Sequence, residues 1–363
     1  MRVRSALDLQ FQTVGDQVWL HSPREGVTYR AGVMARGPLS ALLMALGEWL
    51  PVEVAARKIA DTASVSMPTA EAEVQRLIKA GILVSDQDAI QRELADAAAR
   101  WAGFGWREAF SYHALSDAIK RVDYRHQDGQ RQDVALMRQY VAERAAPPIH
   151  MPDLSERRYP LPPPKKVLGE GVGDVIGYEK VHSGAGLPLT SDQLSTILWF
   201  GFGQIGKKKL PVTGDHVLKV SPSGGSRHPT EAYLLLLDAE DYPPGIYHYA
   251  VRDHSLEFIG AGVDREWVDR YVTGKPEWLD LVPSAVLVLT SRAELSMHRY
   301  RENYSYRPIH HDVGHLIETT GLVAQSVGCE TFRGYSVDDG EVGRKLGNER
   351  LMNPTMAFML LSR

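Results

Sequence analysis

Ser221-Pro222-Ser223-Gly224-Gly225-Ser226-Arg227-His228-Pro229-Thr230-Glu231-Ala232-Tyr233 is the stretch on which the reading of this chain turns. Val217 to Val220 before it and Ala232 to Leu237 after it read as strands, so the small residues between them form a strand-to-strand loop. The loop offers hydroxyls, backbone N–H groups and one guanidinium. Such groups cradle an anion or the polar edge of a planar heterocycle. A nucleoside-triphosphate loop would end in Gly-Lys-Ser/Thr and open a helix; this one does neither. On composition alone, a plain Gly/Ser turn reads the same way.

Outward from the loop, Ile246 to Tyr249, Ala285 to Thr290 and Met356 to Leu361 read as further strands. Leu189 to Phe200 reads as a helix with Ser191 as its N-cap. Ile309 to Val327 reads as a long buried helix. Gly314, Gly321 and Gly328 recur every seven residues along it. Each costs about 1 kcal/mol against alanine in a helix. A face stripped of side chains admits a close neighbour: a second backbone, as at a dimer interface, or a flat ring. His311 and His315 are one helical turn apart, a legitimate ligand spacing. Only Glu318 lies near that face, so no metal site is expected. Asp312 reads as a helix-start residue and His315 as a hydrogen-bonding group. Gly169, Gly171 and Gly173 imitate a dinucleotide turn, but Asp174 stands where the third glycine belongs.

Upstream, Pro147, Pro148, Pro152, Pro160, Pro162, Pro163 and Pro164 crowd one segment, which favours extended geometry and a domain boundary. The expected division is 1–90, a small module; 91–165, a helical connector with the proline-rich linker; and 166–363, a mixed α+β domain. In the first module, Gln17 to His21 and Val27 to Tyr29 read as strands. Leu39 to Trp49, Val52 to Ala60 and Pro68 to Ala80 read as helices, and Ile82 to Val84 as a closing strand. Three helices and a closing strand describe a winged helix. Its third helix sets Arg76 and Lys79 against Glu71 and Glu73, which is no phosphate-gripping face. A peptide-binding or purely structural module fits better, and an exposed strand edge accepts an extended peptide.

The composition excludes several classes. The chain has 363 residues, 44% hydrophobic and 24% charged, which fits a globular protein of more than one domain. Its 41 Lys+Arg against 45 Asp+Glu give a formal charge of −4, unsuited to general nucleic-acid binding. A single cysteine, Cys329, permits no internal disulfide and no Cys-clustered zinc site. The N-terminus lacks a signal-peptide core and no apolar run approaches a membrane span. A cytoplasmic protein is the expectation.

Against that background the loop resembles a known family. Pro222 to Pro229 is similar to the flavin-contacting loop of the nitroreductase superfamily. It is closer to that of SagB-type dehydrogenases, flavin enzymes that oxidise azolines in thiazole/oxazole-modified peptides, and to the related cyanobactin oxidases. Their loop reads Pro-Ser-Gly-Gly followed by a Glu-Ala-Tyr strand. Gly245-Ile246-Tyr247-His248-Tyr249 resembles the family's Gly-Leu-Tyr-His-Tyr strand. Tyr306-Arg307 with Asp312-Val313-Gly314-His315 resembles its Asp-x-Gly-His helix. Gly334-Tyr335, then Val337-Asp338-Asp339 and Leu346-Gly347, resembles its closing segment. The motifs occur in the family's order over roughly residues 176 to 363. The N-terminal module resembles, by pattern alone, the winged-helix peptide-recognition modules of the same pathways.

The resemblance implies an α+β nitroreductase-like FMN domain preceded by a small winged-helix-like domain. It implies a homodimer, a precursor-peptide substrate and neighbouring peptide-modifying enzymes as partners. FMN would be contacted by Lys180, His182, Ser183, Pro222, Ser223, Gly224, Gly225, Ser226, Arg227, His228, Arg333 and Gly334. Three departures stand out. The superfamily's Arg-x-Ser-x-Arg/Lys phosphate grip is here Lys180-Val181-His182-Ser183-Gly184-Ala185, so Arg227, Arg344, Lys345 or Arg363 are alternative cations for the phosphate. The family's Lys-Tyr proton-removing pair is here Arg299-Tyr300. Ser226 stands where nitroreductases carry Asn. Arginine stays protonated and cannot serve as a base. Tyr300 is therefore the expected proton acceptor, with Arg299 as its catalytic partner, lowering the phenol pKa or holding the substrate carbonyl; Tyr304, Tyr306 and His310 are the alternatives. The rival readings are an NAD(P)H-dependent nitro- or quinone reductase acting on small molecules, and a flavin-sensing winged-helix regulator that is no enzyme.

Overall fold

The computed structural model describes residues 1–14, 17–22, 27–32, 43, 46–119, 122–166, 175 and 186–363. The chain forms two compact units: Met1–Arg125 with Glu302–Tyr304, and His126–Arg301 with Ser305–Arg363. The first contains strands β1 (Arg2–Ser5), β2 (Gln10–Val14), β3 (Gln17–Ser22), β4 (Val27–Gly32), β5 (Leu50–Pro51) and β6 (Leu83–Ser85). Its helices are α1 (Val52–Ala63), α2 (Met67–Lys79), α3 (Ala89–Gly103) and α4 (Arg107–Asp117). β1 lies between β5 and β6, and β2-β3-β4 form a separate meander. Val3, Leu46, Ala55, Ile59, Val74 and Leu77 form one buried cluster. α2 begins as its sequence dictates: Ser66 accepts from the Thr69 N–H and Pro68 occupies the first turn. Most of the helix expected over Leu39 to Trp49 lies outside the described residues, and its last part, Leu46 to Trp49, is turn and bend.

The expected connector over 91–165 is not one piece. α3 and α4 belong to the first unit, whereas α5 (Gln127–Glu143) belongs to the second. The proline-rich segment is likewise no mere spacer. Its residues Arg158–Pro160 form β7, an edge strand paired with β12. Proline is tolerated there because an edge strand leaves some N–H positions unused. Arg158 anchors the strand through Glu257 at 2.6 Å and Asp253 at 2.6 Å.

The second unit continues with α6 (Ser191–Phe202), β8 (Gln204–Leu210), β9 (Gly214–Lys219), β10 (Thr230–Leu236), β11 (Gly245–Ala250), β12 (Ser255–Gly260) and α7 (Arg265–Val268). It closes with β13 (Ala285–Ser291), α8 (Ala293–Met297), α9 (Tyr306–Ser326), β14 (Glu330–Gly334), α10 (Asp339–Leu346) and β15 (Thr355–Ser362). Seven strands form one sheet in the order β14-β15-β13-β10-β11-β12-β7, and every pairing is antiparallel. Strand periodicity sends alternate residues to two cores. Leu234, Tyr247, Leu287 and Met359 meet Leu198 and Phe202 of α6 and Ile317 of α9. Tyr233, Leu235, Val288 and Phe358 meet Val268 of α7 and Val342 of α10. The unit is α+β, as expected.

Three local expectations are corrected. The N-cap of α6 is Thr190 rather than Ser191, because Thr190 and Gln193 close a reciprocal capping box. Gly328 is not on α9. It follows the helix with φ of 81°, where the Gly328 and Cys329 N–H groups return to Gln325 and Ala324. The close helix approach is made by Gly201 of α6, where a Cβ would strike Thr320 of α9.

The sheet interior carries a row of charge. His248 stands opposite Glu257, and the pairing of Tyr233 with His248 sets Glu231 on the diagonal. His248 Nδ1 lies 2.9 Å from Glu257 and Nε2 lies 3.4 Å from Glu231. All three side chains are buried. Burial alone would lower the imidazole pKa, but the hydrogen bonds to Glu231 and Glu257 outweigh it and raise the pKa above the usual 6.5. A raised native pKa stabilises the fold below the ordinary histidine range and loses that contribution as pH rises through the native value. The melting temperature should therefore fall as pH increases from about 6.5 upward. His248→Gln should flatten that part of the profile; an identical pH dependence in the variant would refute the assignment.

Candidate functional site

The loop between β9 and β10 is held in a conformation that its sequence does not favour. Gly224–Ser226 makes a single 3-10 turn. Gly225, Ser226 and His228 have φ of 61°, 55° and 46°. For Ser226 and His228 that region costs about 1–3 kcal/mol each. Hydrogen bonds hold the strained geometry. Ser226 Oγ donates to the Val217 carbonyl at 3.1 Å, and the His228 N–H donates to Ser223 Oγ at 2.8 Å.

One side chain pins the whole loop. Asp312 of α9 accepts from Ser223 Oγ at 2.5 Å and from the Gly224 N–H at 3.0 Å. Asp312 is buried. It does not start the helix, as its sequence context implied, since α9 begins at Tyr306. A buried carboxylate with two donors aimed at it is a strong, directional latch. His315, two residues past Val313, is exposed, and no metal-binding group of three side chains occurs among the described residues.

Tyr300 closes over the loop. A Cβ on Gly225 would collide with the Tyr300 hydroxyl, so only glycine lets the phenol lie there. The Arg299 guanidinium covers the Tyr300 ring at 4.7 Å and donates to both Asp133 oxygens at 2.8 Å. Of the alternatives to Tyr300, Tyr306 and His310 make an edge contact on α9 at 4.7 Å, and Tyr304 belongs to the first unit. Burial and neighbouring Lys219 push the His228 pKa down to about 4, so its imidazole is neutral near pH 7. Pro222 and Gly224 are exposed.

The cations expected at a phosphate differ in how they are occupied. Lys180, His182 and Ser183 lie outside the described residues. Arg227 reaches the ring nitrogens of His216 at 2.8 Å. Arg363 meets Glu240 at 2.8 Å, Arg344 pairs with Glu341, and Lys345 approaches the Trp267 ring. Arg333 is different. Its Nε and Nη2 are buried with no hydrogen-bond partner among the described residues, and Nη1 lies 3.5 Å from Glu318. Its guanidinium rests on the bare backbone of Gly321, where a Cβ would collide with it. A guanidinium edge left unpaired in this way costs free energy until an acceptor arrives. The next residue, Gly334, packs against the Phe358 ring, which a Cβ would also strike. The residues present therefore fit an anionic, planar ligand such as FMN, with Arg333 as the available donor fork.

The loop latch has a direct consequence. Asp312→Ala should cost about 1–3 kcal/mol of unfolding free energy, the loss of a charge-assisted pair of hydrogen bonds. Ser223→Ala should cost less when added to it than on its own, because the Ser223–Asp312 bond is then already gone and only the acceptor for the His228 N–H is lost. Denaturant titration of both single variants and the double variant measures this; strict additivity would contradict the latch.

No protein-family model matches the chain. Individual proteins do. The trifolitoxin-processing protein TfxB of Rhizobium leguminosarum bv. trifolii is 29% identical over 262 residues, 70% of each chain. A putative nitroreductase of Methanocaldococcus jannaschii is 28% identical over 157 residues, 43% of this chain and 73% of that protein. A solved structure of a putative nitroreductase from Ralstonia eutropha JMP134 gives a TM-score of 0.46 at 18% identity, covering 61% of this chain and 95% of that one. With the motifs in order from Pro222 to Gly347, the chain is similar to a trifolitoxin-processing protein and to a putative nitroreductase, and its second unit has a nitroreductase-like α+β fold.

Proposed function

We propose that the protein is an FMN-dependent dehydrogenase of ribosomal peptide maturation that oxidises an azoline-bearing precursor peptide to the azole. The observation that carries the reading is the Tyr300 hydroxyl resting on Gly225, inside the loop that resembles the family's flavin loop. Likeness to a trifolitoxin-processing protein supports a peptide substrate. When bound, FMN supplies a hydride acceptor. Aromatising a thiazoline or oxazoline removes a hydride from one ring carbon and a proton from its neighbour. In its ionised form Tyr300 would take the proton at hydrogen-bond range and return it to solvent after turnover, regenerating the phenolate. The latched loop, through Gly224, Gly225 and Arg227, shapes the flavin seat. Arg333 binds an anionic or carbonyl edge of the cofactor, with Lys180, His182 and Ser183 as further phosphate contacts. The first unit docks the leader peptide along a strand edge as a winged-helix-like module. The enzyme works as a homodimer beside other peptide-modifying enzymes. Likeness to a putative nitroreductase supports a second reading, reduction of nitro compounds or quinones by NAD(P)H.

Anaerobic mixing of the flavin-loaded protein with a synthetic peptide bearing one thiazoline tests the reading. The flavin should bleach and the peptide should lose two hydrogens. Tyr300→Phe keeps the ring while deleting the ionisable oxygen. It should slow bleaching by roughly 10²–10⁴-fold with FMN content and melting temperature retained. No bleaching by the peptide, with rapid turnover of NADH and a quinone, would favour the second reading. Arg333→Gln should raise the FMN dissociation constant about 10- to 100-fold, the equivalent of one charge-assisted hydrogen-bond pair. Wild-type FMN affinity in that variant would remove Arg333 from the site.

A further inference from the structure

We infer that Asp133 is a positioning residue for Tyr300, acting through Arg299. The inference rests on the reading of Tyr300 as proton acceptor. Asp133 lies on α5, far from the flavin loop in sequence, and no sequence motif marks it. Its two carboxylate oxygens take the Arg299 Nη2 at 2.8 Å, and both side chains are largely buried, 14% and 13% exposed. The same guanidinium lies over the Tyr300 ring, its carbon 4.7 Å from the ring centroid. The hydroxyl end of the phenol meets the bare backbone of Gly225. The ring thus touches both a cation held by Asp133 and a glycine that permits contact.

The arginine suits this double contact. A guanidinium can hydrogen-bond a carboxylate while its delocalised charge lies over an aromatic ring. A lysine ammonium lacks the planar, preorganised fork, so in the same place it would hold the ring less rigidly. The Lys-Tyr pair of the resembling enzymes becomes Arg-Tyr here, together with a carboxylate that fixes the arginine. Arg299 cannot accept a proton, so its contribution is to place Tyr300, and Asp133 makes that placement rigid.

Neighbouring contacts support the same docking. Glu143, ten residues along α5, pairs with Arg301 at 2.5 Å. Arg144, at the helix end, pairs with Glu294 at 2.7 Å. The Arg301 guanidinium also covers the Tyr140 ring at 4.0 Å. These outer pairs are more exposed, and exposed pairs fix geometry weakly. The inner pair is the one that sets the ring.

The test uses the full chain loaded with FMN and the synthetic thiazoline peptide. Asp133→Asn should lower the saturating rate of flavin bleaching by roughly 10- to 100-fold, the usual consequence of a misplaced catalytic group. Half-saturating peptide concentration and FMN content should be unchanged. Asp133→Glu should recover much of the rate, and Arg299→Lys should mimic Asp133→Asn. Placed in the Tyr300→Phe background, Asp133→Asn should have no further effect. A wild-type rate in Asp133→Asn, or an equal loss in the Tyr300→Phe background, would overturn the inference. A measurement without substrate separates this from failure of the functional reading. Nitration of Tyr300 by tetranitromethane, followed by peptide mass spectrometry, should be several-fold faster in Asp133→Asn, because the ring loses its cover. If the wild-type protein does not oxidise the thiazoline peptide, the functional reading fails, and an unchanged nitration rate would independently overturn the clamp.

Discussion

The structure around the candidate site depends on one buried carboxylate. Asp312 joins the longest helix of the second unit to the loop between β9 and β10 through Ser223 and Gly224. That join fixes Ser223 and Gly224, and Ser223 in turn accepts from the His228 N–H that is held at positive φ. The helix in turn is held by the sheet, because Val313, Leu316 and Ile317 pack into the same core as Leu234 and Tyr247. Hydrophobic burial fixes α9, and Asp312 transmits that rigidity to a polar loop that has little apolar surface of its own. Groups that bind a cofactor need such preorganisation, since a loose seat loses affinity to ordering entropy.

Glycine performs two different tasks at the site. At Gly225 the absence of a side chain lets a phenol approach and permits positive φ. At Gly321 it lets the Arg333 guanidinium lie flat on a helix backbone. In both cases a flat group rests where a Cβ would stand. The sheet behind the site is equally specified. Glu231, His248 and Glu257 come from three adjacent strands, and a one-residue slip of any strand would turn its member to the opposite face. A buried charged row of this kind penalises wrong registers more than it adds to stability.

Much of the second unit was legible in its sequence. The strands Ala232 to Leu237, Ile246 to Tyr249, Ala285 to Thr290 and Met356 to Leu361 are all present, because buried strands write continuous apolar runs, and Val217 to Lys219 is present as the end of the half-exposed β9. β7, β8, β12 and β14 were not read. β7, β8 and β14 are edge or polar strands, such as Gln204-Ile205-Gly206-Lys207-Lys208-Lys209-Leu210, whose identity comes from pairing rather than from hydrophobicity, and β12 is an interior strand whose apolar residues are interrupted by Glu257. The proline-rich stretch masked β7 for the same reason. At the site, Ser223, Gly225 and Tyr300 were found by motif, and the structure brings them together. Asp133 and the latching role of Asp312 were not, because each acts across a long sequence separation that no local pattern records, and His216 was not, because its contact with Arg227 depends on how the loop folds back on β9. Arg333 stood out in sequence only through its neighbour Gly334; its unpaired donors are visible only in three dimensions.

The proposed function requires this chain to bind FMN, with the latched loop and Arg333 as the proposed contacts. The most direct measurement is the absorption spectrum of the purified protein, followed by heat release and chromatographic identification of what is released. The account predicts a yellow protein that releases FMN in a ratio approaching one per chain. A colourless protein that fails to take up added FMN would contradict it.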